Sequence, residues 1–387
     1  MPGKLTPLMA EGLVRLGVWM PFERSAIELQ YFMHVTVSAA KARRDTEQAG
    51  AAYVAVQAAE VERIQRDLPE SPAGVDKAFL SVDGAFVPVV GGEWVEVKTL
   101  TLGEIQPPDS QGEVHTTNMS YFSRLSEARD FTPQALVETH RRGLEKSRTV
   151  CADTDGAEWI QGFVDWHRPD AVRILDFMHA AERVAGAGRV VHGEDTPEFQ
   201  AWFASQRHEL KDGDPDQVLD TLDQLRQTAV AVGAPESVRP VIDTNLNYLR
   251  TRRAMIDYAR FQQAGYPIGS GAGEACHKFV IESRLKGTGM RWARSHVNPM
   301  AALRNLVCNN RWDEGWAQIA DHLRQHSHHR HTPNAQPTPN PCVADNPGAS
   351  GPLLPPGFKL RPGCSWRNRP FGKMLYRPSS ESPGAKL

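Results

Sequence analysis

Three carboxylates stand out in the 387-residue chain by where they fall: Asp83 in FLSVDGAF, Asp155 in RTVCADTDGAEW and Glu274 in PIGSGAGEACHKFV. Phosphoryl transfer concentrates negative charge in its transition state, and two divalent cations about 3.5–4 Å apart can neutralise it at both the attacking and the leaving oxygen. Mg²⁺ takes carboxylate oxygens and keeps several waters, so such a site needs a few converging carboxylates rather than a dense cage. Position in the fold matters here, not separation in sequence. Each residue has a plainer reading. Asp83-Gly84 can be a tight turn, although Gly91-Gly92 is the better turn and cutting at 83 leaves a very short strand. Asp155-Gly156 can be a turn and helix N-cap, and Asp153 competes for its place. Glu274 can be a first-turn carboxylate favoured by a helix dipole, with Glu282 as its rival. Asp176-x-x-His179 puts two more polar side chains on one side of a helical turn. Capping explains that spacing more simply than metal ligation, because Mg²⁺ does not favour imidazole.

The elements that must position these residues follow from patterning. Residues 1–70 read as helical: FERSAIELQYFM, a short HVTV turn, then a long helix N-capped by Ser38. This is the outline of a helix-turn-helix whose second helix would enter a major groove with Arg43 and Arg44 near its start. An αα-hairpin has the same outline. Residues 71–187 are rich in strand signals. KAFLSVDGAFVPVV and EWVEVKTLTLGEI flank Gly91-Gly92, a hairpin. EVHTTNMSYF holds a third strand, and Thr132-Pro133 opens a helix with Pro at its first position. RTVCAD is a fourth strand, AEWIQGFVDWH a helix, and AVRILDF a fifth strand. Three antiparallel strands, then two reached through helices, is the plan of a ribonuclease H-like α/β fold. That plan seats one carboxylate on the first strand, one at the end of the fourth and one on a late helix across the sheet edge. Asp83, Asp155 and Glu274 fit those places.

Residues 188–268 read as an inserted all-helical domain, broken near Gly213-Asp214 and Gly233-Ala234-Pro235. Residues 269–325 read as the closing helices of the core, interrupted at 287–289 and at Asn298-Pro299. Residues 326–387, rich in Pro, His and Asn, read as a largely disordered tail in which His326, His328, His329 and His331 are solvated. The net charge of −2 does not advertise nucleic-acid binding, but from Arg239 to Arg304 eleven Lys/Arg stand against four Asp/Glu. Such a stretch can neutralise phosphates or simply coat a solvated face. No apolar run reaches the roughly 18 residues of a membrane span, and the start lacks the pattern of a secretory signal. The five cysteines are scattered with no CxxC pair, which suits a reducing cytosol and gives no zinc site or disulfide framework.

The segments VDGAFVPV, ADTDGAEWI, RILDFMHAAERV and YPIGSGAGEACHKFVIESRLKGTGMRW resemble bacterial insertion-sequence transposases of the Kra type, which are similar to the wider Mutator-like and hAT-like DDE group. The resemblance covers nearly the whole chain, from LVRLGVWMPF to SWRNRPFGK, and its most specific part is GSGxxE…RLKGTGMRW. It implies a ribonuclease H-like catalytic domain interrupted by a helical insertion before the catalytic Glu. It carries the catalytic and metal-binding roles onto Asp83, Asp155 and Glu274. In that group a Cys/Asp-x-x-His motif follows the second Asp; Asp176 and His179 match it as a supporting motif, which favours Asp155 over Asp176 as the ligand. The implied activity is DNA transposition with two Mg²⁺ (or Mn²⁺) ions: nicking at terminal inverted repeats, then attack of the exposed 3′-hydroxyl on target DNA. Arg284, Lys286, Arg291 and Arg294 are expected at phosphates, and Trp292 either stacked on an unpaired base or in the core. Joining two DNA ends implies a homo-oligomer, a dimer or larger, in the bacterial cytoplasm at the nucleoid. Family members carry longer, often Cys-rich N-terminal regions, so this chain is expected to be shortened there. Two other functions stay open: a decayed or domesticated copy that binds DNA without catalysis, and a ribonuclease H-like structure-specific nuclease.

Overall fold

The structure, a computed structural model, describes residues 5–231, 235–269, 271 and 276–329. Helices come first. Thr6 starts α1 (Pro7–Trp19) by accepting the Met9 N–H, with Pro7 at the first position, where a missing N–H costs nothing. α2 (Phe22–Met33) leads to α3 (Ala39–Asp67), which Ser38 caps through the Lys41 N–H. α3 is embedded over its middle. Gly50 lies so close to the Pro299 backbone that a Cβ there would overlap it.

The strands β1 (Lys77–Pro88), β2 (Trp94–Ile105), β3 (Thr116–Arg124), β4 (Thr149–Thr154) and β5 (Val172–Leu175) form one mixed sheet in the order β3-β2-β1-β4-β5. β1, β2 and β3 are antiparallel neighbours, and β4 and β5 run parallel to β1. The hairpin turns at Gly91-Gly92, both at positive φ (102° and 90°), a conformation glycine adopts without steric cost. Asp83-Gly84 therefore lies inside a continuous strand, with Asp83 opposite Thr99. Alternation sends Leu80, Val82, Leu100 and Ala152 to one face and Ala85, Val87, Val95 and Val97 to the other.

The crossovers use α4 (Ala128–Gln134), α5 (Leu136–Arg141) and α6 (Glu158–His167). Pro133 does not open the helix predicted there. α4 begins at Ala128 and holds Pro133 inside it; the proline removes one backbone bond, and the chain steps into α5 at Ala135. After β5 come α7 (Phe177–His192), α8 (Pro197–Asp212), α9 (Pro215–Ala231), α10 (Val238–Thr251) and α11 (Tyr258–Gln263), which share an apolar core with β4 and β5. The Gly213-Asp214 break is present; Gly233 and Ala234 lie outside the described residues. The boundary expected at 188 falls inside α7, which ends only at Gly193 (φ 86°).

A π-helical turn, Lys278–Glu282, continues as a short helical turn, Ser283–Leu285. The break at 287–289 is present, but the one expected at Asn298-Pro299 is not. α12 (Arg294–Cys308) runs through it: Pro299 sits in the second turn, and the Asn298 amide anchors that turn to both backbone groups of Leu125 at 2.7 and 3.1 Å. α13 (Trp312–His329) continues past Gln325, where the tail was expected to begin; residues from 330 on lie outside the described residues. No described helix is long and apolar enough to cross a membrane.

Candidate active site

β1 runs on past the point where β4 ends. The two strands pair as Ala78↔Val150, Phe79↔Cys151 and Leu80↔Ala152. Carried three residues further, the same register sets Asp83 beside Asp155, the residue after β4. The electrostatics agree. Partial burial holds the Asp155 carboxyl above the ordinary carboxylate range, and the charge of Asp83 adds to that. The Ala157 N–H, His179 and Arg252 act in the opposite direction. One oxygen of Asp83 accepts the Gly84 N–H at 2.7 Å. The other lies 3.4 Å from Nε2 of buried His277, while Asp83 itself stays 46% exposed. His277 is placed by its neighbour Cys276, whose sulfur accepts the Thr101 hydroxyl at 2.9 Å across β2. Burial pushes the His277 pKa down, against the pull of Asp83 and then Glu282.

The turn after Asp155 is held from the helical segment. Tyr248 on α10 donates its hydroxyl to the Asp155 carbonyl. Arg252 donates from Nε and Nη2 to the Gly156 carbonyl at 3.1 and 2.9 Å. Arg183 and Arg252 both stack over the Tyr248 ring, at 4.3 and 3.8 Å from its centroid. Gly156 has φ 79°, and a side chain there would meet Arg252 and Tyr248.

The rival carboxylates have different surroundings. Asp153 is fully buried and both its oxygens lack a hydrogen-bond partner; burial, then the charge of Asp176, pushes its carboxyl well above the usual range. Asp176 caps α7, accepting the His179 N–H at 2.9 Å. The Asp-x-x-His spacing is thus a helix cap that also leaves His179 exposed and near enough to affect Asp155. Glu274 lies outside the described residues. On either side of it, Ile268 accepts the Phe177 N–H at 2.9 Å, beside the cap of α7, and His277 reaches Asp83. Glu282 is paired with Lys286 at 2.8 Å. Among the described residues one cluster of three has the spacing to hold a metal ion: Asp109, Glu113 and His115, all exposed in the loop between β2 and β3. There Asp109 already accepts the N–H groups of Gln111 and Glu113 and contacts the His115 ring.

The basic residues divide sharply. Arg43 and Arg44 are exposed near the start of α3. Arg284 is not available to phosphates. It is 2% exposed, donates to the Gly17 carbonyl at 3.0 Å and lies over the rings of Phe22 and Trp292. Trp292 is likewise a core residue, with Nε1–H bonded to the Leu285 carbonyl at 3.0 Å. Arg304 is buried on the carbonyls of Val280 and Phe279. In the basic stretch, Arg239, Arg250 and Arg253 pair with Asp243, Asp223 and Asp216. Arg260, Lys278, Arg291 and Arg294 remain exposed with no ion-pair partner among the described residues.

Patterning missed His277, Tyr248 and Arg252. A signal existed for each. Glu274-x-x-His277 repeats the carboxylate-x-x-His spacing of Asp176 and His179, and Tyr248 and Arg252 stand four apart at the end of a strongly amphipathic helix. A scan against protein-family models gives no match. A search of the curated proteins gives none either.

Proposed function

We propose that this chain is a divalent-metal-dependent DNA strand-transfer enzyme, a DDE transposase on a ribonuclease H-like core, with Asp83, Asp155 and Glu274 as its catalytic carboxylates. The observation that carries the reading is the juxtaposition of Asp83 on β1 with Asp155 at the end of the adjacent parallel β4, close enough for the charge of Asp83 to act on the Asp155 carboxyl. The strand order β3-β2-β1-β4-β5, with the first three antiparallel, supports the same plan. Asp155 is favoured over Asp153 because a fully buried carboxyl cannot meet a hydrated ion.

The donor set fits a hard cation. Burial first, and then the charge of neighbouring Asp83, hold the Asp155 carboxyl above the ordinary carboxylate range, and oxygen donors of this kind match Mg²⁺ or Mn²⁺. Divalent cations bound there would neutralise charge on the phosphate under attack. The chain's own residues do the rest. His277 sits against Asp83 and orients it. Tyr248 and Arg252 fix the backbone of the Asp155 turn. Arg291, Arg294 and Lys278 attract the DNA backbone, and Arg43 and Arg44 offer a second basic contact. Two DNA ends must be handled together, so the working form is a dimer or larger.

The experiment pairs binding with cleavage on DNA taken from the two flanks of the gene, where this reading expects terminal inverted repeats. The Asp83→Asn variant should bind these ends as the wild type does and lose strand cleavage in Mg²⁺ by at least about 10³-fold, an effect of the size that loss of an essential charge-stabilising group produces. If the variant still cuts, the assignment is wrong. If the wild type binds the ends and never cuts, the chain is a DNA-binding protein without catalysis.

A further inference from the structure

The tip of the β1–β2 hairpin carries two aromatic rings that nothing described covers. Phe86 and Trp94 are each 55% exposed, and Val90 in the turn is 67% exposed. Phe86 is opposite Glu96 and Pro88 opposite Trp94, so the two rings are diagonal neighbours on one face of the hairpin. Exposed aromatics grouped on a strand pair mark an interaction surface.

The charge beside them favours an anionic ligand. The hairpin edge is tied to Trp292: the Val90 N–H donates to the Trp292 carbonyl at 2.9 Å, and the Trp292 N–H to the Pro88 carbonyl at 3.1 Å. That fixes exposed Arg291 next to the tip, with exposed Arg294 opening α12 just beyond. Lys98 neutralises Glu96 at 2.6 Å, which leaves exposed Glu93 in the turn as the other carboxylate of the tip. Position favours a strand that also visits the carboxylates. β4 pairs with β1 only as far as Leu80, so the β1 edge from Asp83 to Phe86 has no strand beside it among the described residues. Asp83 and Phe86 point to opposite faces, and a ligand crossing this edge reaches both. Their separation along β1 is about 10 Å at roughly 3.3 Å per residue, the rise of about three stacked nucleotides.

We propose that Phe86 and Trp94 form a stacking platform for unpaired bases at a DNA end, with Arg291 and Arg294 on the adjoining phosphates. The proposal rests on the strand-transfer reading of Asp83 and Asp155. It moves the stacking role, expected of Trp292, to the aromatic exposed one strand away. Stacking on a ring is tolerant of sequence because every base has a π-face, so arbitrary DNA suffices as the probe.

The test uses the full chain, a blunt DNA hairpin, and the same hairpin with a short single-stranded thymine overhang containing 2-aminopurine. The wild type should bind the overhang substrate about tenfold more tightly than the blunt one, an increment typical of a stacked base, and quench the 2-aminopurine. Trp94→Ala should lose both the preference and the quenching while keeping its affinity for blunt DNA; Trp94→Phe should keep them. Arg291→Ala should weaken both substrates alike. Unchanged preference and quenching in Trp94→Ala, with cleavage intact in the wild type, overturns the platform alone. A wild type that binds neither DNA overturns the platform and the strand-transfer reading together. If Trp94→Ala instead abolishes self-association in sedimentation and leaves DNA binding untouched, the face belongs to a second copy of the chain.

Discussion

Two aspartates two positions apart at the end of β4 meet opposite surroundings. Strand alternation drives Asp153 into the apolar layer shared with α7, where burial favours its protonated form. Asp155 has left the ladder and stays half-buried beside Asp83, where it keeps access to solvent. A buried titratable group elsewhere gives a direct test of such environments. His167 is buried against Phe163 and Thr139 of α5, with Nε2–H donating to the Thr132 carbonyl at 3.0 Å, and burial lowers its pKa from 6.5 to about 3. The folded pKa lies below the unfolded one, so the folded state refuses a proton that the unfolded state accepts. The stability is complete above pH 6.5 and is lost as pH falls toward about 3. At roughly 1.4 kcal/mol per pH unit, the wild type should lose about 2 kcal/mol between pH 6.5 and 5 from this residue. His167→Gln should be less stable near neutrality and show a shallower decline. Urea unfolding at the two pH values measures it, and parallel declines would contradict the burial.

At the scale of elements, α10 does more than fill space behind the sheet. Its last turn supplies Tyr248 and Arg252 to the two carbonyls that follow β4, so a helix from the segment after β5 shapes the turn that carries Asp155. Residues that orient a metal ligand from behind typically change metal affinity about 10- to 100-fold when removed. Arg252→Ala and Tyr248→Phe should raise the Mg²⁺ concentration needed for half-maximal cleavage by a factor in that range, with Arg252→Lys intermediate. Equal Mg²⁺ dependence in all three would show that the clamp is structural only. The first two strands were legible from local signals: Val-, Phe- and Thr-rich segments over 77–88 and 94–105 that alternate in part, and a Gly-Gly turn between them. Two prolines were misread, Pro133 as a helix start and Pro299 as a break. Each lies inside a helix, at a position that gives up one backbone bond: α4 ends one residue after Pro133, whereas the Asn298 anchor on Leu125 accompanies a helix that runs on past Pro299.

Over the whole molecule, the basic stretch shows what a charge count leaves out. Eleven Lys/Arg between 239 and 304 suggested a phosphate-binding face. Two of those residues are directed inward, and others are held in ion pairs at the surface. Arg284 ties the short helical turn Ser283–Leu285 to the carbonyl of Gly17 in α1, and Arg304 ties α12 to the carbonyl of Val280 in the π-helical turn; no local pattern announces which guanidinium will find such acceptors. Trp292 went the same way into the core, while Trp94 stayed outside. The closeness of Asp83 to Asp155 was legible for the converse reason: it needs only strand order and register, which follow from elements that pattern clearly. What joins these parts is a single claim, that Asp83 and Asp155 bind one set of divalent ions. Titration of the full chain with Mn²⁺, following free Mn²⁺ by electron paramagnetic resonance, tests it most directly. The wild type should show tight binding that Asp83→Asn and Asp155→Asn each abolish, that the double variant worsens no further, and that Glu274→Gln weakens while Glu282→Gln does not. Binding that survives both aspartate substitutions and disappears only when Asp109, Glu113 or His115 is changed would contradict it.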